Sequence, residues 1–168
     1  MPELALPSTS GSPVSCAAMP GRTIVYCYPM TGQPGVALPE GWDQIPGARG
    51  CTPESCGFRD NFARLKSKGL NVFGLSTQTT HEQIEAAHRL HLPFDLLSDA
   101  DLRFTNALRL PTFISAGTTL IKRLTLILRD GMIEAVHYPV FPPNTHAAEL
   151  ADALERSPTL RLPSRLLV

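Results

Sequence analysis

No stretch of this chain is both long and apolar enough to span a bilayer, which takes about 18 residues or more. No excess of charge exists either: 15 basic and 15 acidic residues cancel to a formal net charge of zero. Nucleic acids and anionic membrane surfaces call for clustered basic charge, so neither is an expected partner. The opening MPELALPSTSGSP has no basic segment leading into an apolar one, so it does not read as a secretory signal, and a cytoplasmic protein is the default expectation. The chain also lacks a Gly-rich phosphate loop after a strand and a G-x-S-x-G turn, so no nucleotide or flavin is expected. Four cysteines in 168 residues are too few for a disulfide scaffold. None of them forms a C-x-x-C pair, which weakens a zinc site and excludes the thioredoxin motif.

What the chain does have is an ordinary globular composition, 43% hydrophobic and 18% charged, long enough for one domain. We read residues 1–168 as that single domain, with a core over about 4–155 and a loosely held tail over 157–168. LALPSTSGSPVSC suggests a short hairpin with a Ser/Gly turn. RTIVYCY, nearly all apolar and rich in β-branched and aromatic residues, predicts a buried central strand, with Cys27 as a core residue. Cys16 has nothing nearby to activate it and reads as structural.

Residues 29–50 are rich in Pro and Gly, have no periodicity, and predict a long loop pinned by the single tryptophan, Trp42. A helix over about 52–68 follows, with Thr52 as its cap, Pro53 in its first turn, and Phe58, Phe62 and Leu65 on one face. LNVFGLS is a strand, and THEQIEAAHRLH a helix capped by Thr80. LPFDLLSD is a short strand and turn, and ADLRFTNALRL a helical piece. A β-hairpin across Asp130-Gly131 precedes a last helix capped by Asn144 or Thr145. This order predicts an α/β protein with the thioredoxin-like fold: a central mixed sheet with helices on both faces. His81, His88 and His91 do not form H-E-x-x-H and read as a solvated helix face.

The chemistry concentrates in GARGCTPESCGFRD, residues 47–60. Cys51 falls where loop becomes helix, and the positive end of a helix favours a thiolate. Arg49 and Arg59 could add positive charge, whereas Glu54 opposes ionisation. The expectation is a partly exposed thiolate of lowered pKa, the species that attacks peroxide and becomes a sulfenic acid. Cys56, five positions on, is the natural resolving thiol. Five helical residues rise about 7.5 Å, whereas a disulfide needs Cα atoms within about 7 Å. A 51–56 bond therefore requires the first one or two turns to unwind. Two alternatives stay open on spacing alone: unrelated thiols, and a zinc ligand pair.

The segments LALPSTSGSPVS, VYCYPMTG, GCTPESCGFRD, NVFGLSTQTTHEQIEAAHRLHLPFDLLSD, IKRLTLILRDGMIEAV and THAAEL together resemble the peroxiredoxins, over about residues 4–155. The likeness is to the atypical two-cysteine type called bacterioferritin-comigratory or Q. It implies a thiol peroxidase that needs no cofactor and acts on hydrogen peroxide or small organic hydroperoxides. By that resemblance Cys51 is the peroxidatic cysteine and Cys56 the resolving one. Arg123 is the arginine that orients peroxide. A dithiol such as thioredoxin is the implied reductant, and a monomer or weak dimer the expected state. The family pattern wants a Pro seven residues and a Thr or Ser three residues before the peroxidatic cysteine. Gln44 and Ala48 stand there instead. An insertion over 33–45 would make Pro29 and Thr31 the displaced equivalents, with the loop folding back to bring Thr31 toward Cys51. The missing hydroxyl at 48 motivates a rival reading, a non-catalytic redox sensor or binding module on the same fold.

Overall fold

A computed structural model describes residues 1–156, with side chains through Leu154; the expected tail over 157–168 lies outside the described residues. Five strands make the central sheet: β3 (Arg22–Cys27), β4 (Leu70–Ser76), β5 (Leu96–Ser98), β8 (Leu124–Arg129) and β9 (Met132–His137). Their order is β5-β4-β3-β8-β9, with β3, β4 and β5 parallel and β8 and β9 antiparallel to their neighbours. The sheet is mixed, as the element order predicts. β3 is central and its neighbours pair with it along its whole length.

Alternation along β3 divides the core. Ile24, Tyr26 and Tyr28 face α1 (Cys51–Asp60), α2 (Phe62–Ser67), α3 (Thr80–Arg89) and α5 (His146–Arg156). Val25 and Cys27 face α4 (Arg103–Leu108) and the hairpin of β1 (Ala5–Leu6) and β2 (Val14–Ser15). Cys16 and Cys27 are both fully buried there, in the core roles expected of them. The Asp130-Gly131 turn joins β8 to β9, with both residues at positive φ as a tight hairpin of this kind demands. His81, His88 and His91 are exposed. Among the described residues, no helix is long and apolar enough to cross a membrane.

Three details differ from the sequence reading. The helix expected over 52–68 breaks at Asn61, whose side-chain amide donates to the Gly57 carbonyl at 2.9 Å and competes with the helical ladder. Thr79 rather than Thr80 caps α3, in a reciprocal capping box with Glu82. A further hairpin, β6 (Thr112–Ser115) with β7 (Thr118–Ile121), stands apart from the main sheet and was not foreseen. Its turn is Ala116-Gly117, which lacks the Asn-Gly or Asp-Gly signal. This hairpin receives Trp42, whose ring packs 6.1 Å from that of Phe113 and against Leu120. The tryptophan pins the long loop, as expected of it.

Candidate active site

Gly50 caps α1 at φ 103, a conformation that disfavours any side chain, and Pro143 fills the space a Cβ would occupy. Thr52, the expected cap, sits one residue inside the helix. Cys51 is therefore the first helical residue, and its sulfur lies where backbone N–H groups have no helical partner. Arg123, between β7 and β8, reaches it from the sheet: Nη2 is 3.1 Å from Cys51 Sγ. The same nitrogen donates to the carbonyls of Arg49 at 3.0 Å and Gly47 at 3.3 Å, so the guanidinium also clamps the loop entering the helix. Nη1 pairs with the carboxylate of Glu54, one turn into α1. Arg123 is only 3% exposed, a buried cation rather than a solvated flank.

The electrostatics differ from the sequence expectation. Cys51 is 3% exposed, not partly exposed, and burial raises its pKa above the ordinary thiol value. Arg123 and the Met30 backbone hold it down, and Glu54 pushes it up. Arg49 gives no help from its side chain, which is exposed and ion-paired with Asp43. Arg59 is likewise engaged elsewhere, with Asp60 and the Leu90 carbonyl. The helix end favours a thiolate, but withdrawing the sulfur from water opposes it more strongly, and Arg123 is the counterweight. Burial also raises the Glu54 carboxyl to about 7, against the pull of Arg123.

The 29–32 segment does fold back onto the sulfur. Met30 and Gly32 line the cavity at Cys51 with Ala48. Thr31 stands between them but does not line it. It is 2% exposed, and its hydroxyl donates to Gln78 Oε1 at 3.2 Å while its backbone N–H donates to the same oxygen at 2.9 Å. Gln78 belongs to the GLSTQ segment and also donates to the Thr31 carbonyl at 3.2 Å, which fixes the turn.

Cys56 lies on the second turn of α1, half-buried, and all four cysteines are free. Both thiols are on one unbroken helix, so the geometry that forbids their bond without unwinding is the geometry present. Around Cys56 the helix is held firmly: Ser55 bonds the Tyr26 hydroxyl at 3.0 Å, and Phe58 stacks on Tyr26 at 4.3 Å. Phe58 also meets the edge of His146. Sequence reasoning did not single out His146. It is buried, its Nε2 is 2.8 Å from Thr125 Oγ1, and burial with His137 and Arg123 nearby lowers its pKa to about 3, so it is neutral. No group of three or more His, Cys, Asp or Glu that could hold a metal occurs among the described residues.

The Redoxin family pattern matches residues 1–154. The chloroplastic peroxiredoxin Q of Sedum lineare is 30% identical over 156 residues, covering 92% of this chain and 75% of that protein. The chain belongs to the redoxin family, in its peroxiredoxin Q and Bcp group. Peroxiredoxin Bcp of Escherichia coli K12 is 35% identical over 101 residues, which is 60% of this chain and 55% of that protein. The redoxin chain spans between 61% and 65% of several other plant relatives named peroxiredoxin Q. Among solved structures, peroxidoxin BcpB of Mycobacterium tuberculosis superposes with a TM-score of 0.71 at 23% identity, covering 91% of this chain and 92% of that one. That likeness speaks for the thioredoxin-like fold of this redoxin.

Proposed function

We propose that this redoxin-family chain is a thiol peroxidase in which Cys51 is oxidised by hydrogen peroxide or an organic hydroperoxide and Cys56 resolves the product. The observation that carries the reading is the 3.1 Å approach of the Arg123 guanidinium to the Cys51 sulfur at a helix start. A cation fixed there stabilises the thiolate and then the charge that develops on the peroxide oxygens. In the first step the sulfur attacks one oxygen, an S–O bond forms and the O–O bond breaks. The other oxygen leaves as water or an alcohol after taking up a proton, and Cys51 is left as a sulfenic acid. In the second step the first turn of α1 unwinds and the Cys56 sulfur displaces hydroxide from Cys51, which leaves as water. A 51–56 disulfide results. A dithiol such as thioredoxin then reduces it by exchange through a mixed disulfide. A reducing compartment such as the cytoplasm suits that cycle.

In this reading Thr31 acts at one remove. Its bonds to Gln78 hold the turn that brings Met30 to the cavity beside the sulfur, where the Met30 backbone helps to lower the thiol pKa. A second reading, a redox sensor oxidised once per signal, draws support from the burial that raises the Cys51 thiol and from the hydroxyl missing at Ala48. Steady-state peroxide consumption with thioredoxin and its reductase separates the two. The peroxidase reading predicts many turnovers, abolished by Cys51→Ser. It also predicts that Cys56→Ser stops after one equivalent of peroxide unless an outside thiol resolves the sulfenic acid. Stoichiometric, slow oxidation of the wild type overturns it in favour of the sensor.

A further inference from the structure

Phe141 is the most exposed large apolar side chain among the described residues, at 85%. Its backbone is nevertheless held on both sides. Val140, just before it, is buried, and Pro143, two residues on, fills the space beside Gly50, the residue before Cys51. Further along, a Cβ on Gly57, the residue after Cys56, would meet the Asn144 carbonyl at 3.5 Å and the Ala147 Cβ at 3.6 Å. The segment leading into α5 therefore lies along α1 from the neighbour of one thiol to the neighbour of the other, and Phe141 stands at its start. Single apolar residues on a surface are ordinary. An aromatic ring kept in water beside two reactive sulfurs, on a backbone fixed by buried neighbours, has the form of an interface anchor.

We propose that Phe141 is the apolar anchor of the surface on which a protein dithiol reductant docks to reduce the 51–56 disulfide. The assignment rests on the peroxidase reading above. The chemistry sets where that partner stands. A thiolate of the reductant forms an S–S bond to one sulfur of the disulfide, and the other sulfur leaves as a thiolate. The reductant's second thiol then attacks the mixed bond, its proton passing to the departing cysteine sulfur, and the reductant ends as a disulfide. While the mixed bond exists the two proteins are joined at α1. Transient redox interfaces bury less than about 1,200 Å² in all, which is roughly a disc of 14 Å radius on each partner. Phe141 is at most about 7 Å along the chain from Pro143, and Pro143 touches the residue before Cys51, so the ring falls inside that disc. The charged side chains flanking the thiols are paired with each other, Arg49 with Asp43 and Arg59 with Asp60, so this face offers apolar contact rather than free charge. Because the backbone at Phe141 is already fixed, covering the ring costs little ordering.

The test oxidises the protein with one equivalent of hydrogen peroxide and measures the second-order rate constant of its reduction by reduced thioredoxin and, separately, by dithiothreitol. Wild type is compared with Phe141→Ser and with Met132→Ser. Met132 is a control of similar kind, 71% exposed but paired with Arg129 at the far end of β8 from Arg123. Phe141→Ser should lower the thioredoxin rate by about tenfold. Its rates with dithiothreitol and in the preceding peroxide step should stay within about twofold of wild type, as should all rates of Met132→Ser. Reduction of Phe141→Ser by thioredoxin at the wild-type rate overturns the assignment, and so does an equal loss with dithiothreitol or in Met132→Ser. A wild-type dimer that Phe141→Ser converts to a monomer in sedimentation also overturns it, because a second copy of this chain then covers the ring. In each of these cases the peroxidase reading stands. If peroxide leaves no 51–56 bond in the wild type, that reading falls and this assignment with it.

Discussion

The first turn of α1 and the turns that follow are one helix held by two kinds of force. Residues 51–54 are fixed by polar contacts that converge on a single side chain, Arg123, which touches Cys51, pairs with Glu54 and clamps the carbonyls of Gly47 and Arg49. Residues 55–60 are fixed mainly by packing, with Phe58 between the Tyr26 and His146 rings, and by one neutral hydrogen bond from the Tyr26 hydroxyl to Ser55. Charge contacts around a reactive sulfur change when that sulfur is oxidised. Aromatic packing does not. If the proposed cycle holds, this contrast predicts a hinge between Glu54 and Ser55, with Cys56 stationary and Cys51 travelling to it. A helix end fraying by one turn gives up few backbone bonds, so such a movement would cost little beyond the Arg123 contacts.

The largest way to break this comparison is to remove the packing. Phe58→Ala should cost about 3–5 kcal/mol of stability, read from urea unfolding, because it leaves a cavity in the fully buried Tyr26 stack. At a temperature where the variant is still folded, the first oxidation of Cys51 should be little changed. A loss of oxidation rate as large as the loss caused at Arg123 would show that the two halves of the helix are not separable. Next in size is the polar clamp. Arg123→Met should slow oxidation of Cys51 by about 10²–10³, followed in single-turnover mixing with peroxide. If the rate holds within a few fold, the cation is a structural clamp and nothing more.

The smallest effect sharpens the electrostatics. Burial raises the Cys51 thiol, so the wild-type oxidation rate should climb with pH and not level off by about pH 8.5, the ordinary thiol value. Glu54 opposes the thiolate only when it is itself ionised, and its carboxyl sits at about 7. Glu54→Gln should therefore shift the rising limb to lower pH. The difference from wild type should be greatest above pH 7 and shrink below it, where the native Glu54 is already neutral. Superimposable profiles above pH 7 would remove Glu54 from the control of the sulfur.

Much of this was legible in the residues because it is local. The apolar run RTIVYCY reads as a buried strand, Asp130-Gly131 as a tight turn, and Thr52-Pro53 as a helix start, two residues later than the Gly50 cap observed. Cys51, Cys56 and Arg123 were legible as chemistry-bearing types in a recognisable order, and the structure brings Cys51 and Arg123 into contact across 72 positions of sequence. The Ala116-Gly117 hairpin was missed because its turn lacks the usual residue pair, and the break at Asn61 because an amide side chain competing with the ladder leaves no mark in periodicity. The state of the sulfur was misjudged for a different reason. A helix N-terminus is visible in a sequence, whereas the depth at which it is buried is not.

By itself the sequence determined the order of the central-sheet strands and the helical segments around them, the mixed sheet that follows from it, and the identity of the residues able to react, since these depend on periodicity, turn chemistry and side-chain type. Only the tertiary structure decided how those residues behave. It turned Thr31 to Gln78 and left Met30 to the sulfur, it spent Arg49 on Asp43, and it withdrew Cys51 from water beside one buried guanidinium. Solvation and distance set the charge on a thiol, and both are properties of neighbours brought together from remote parts of the chain.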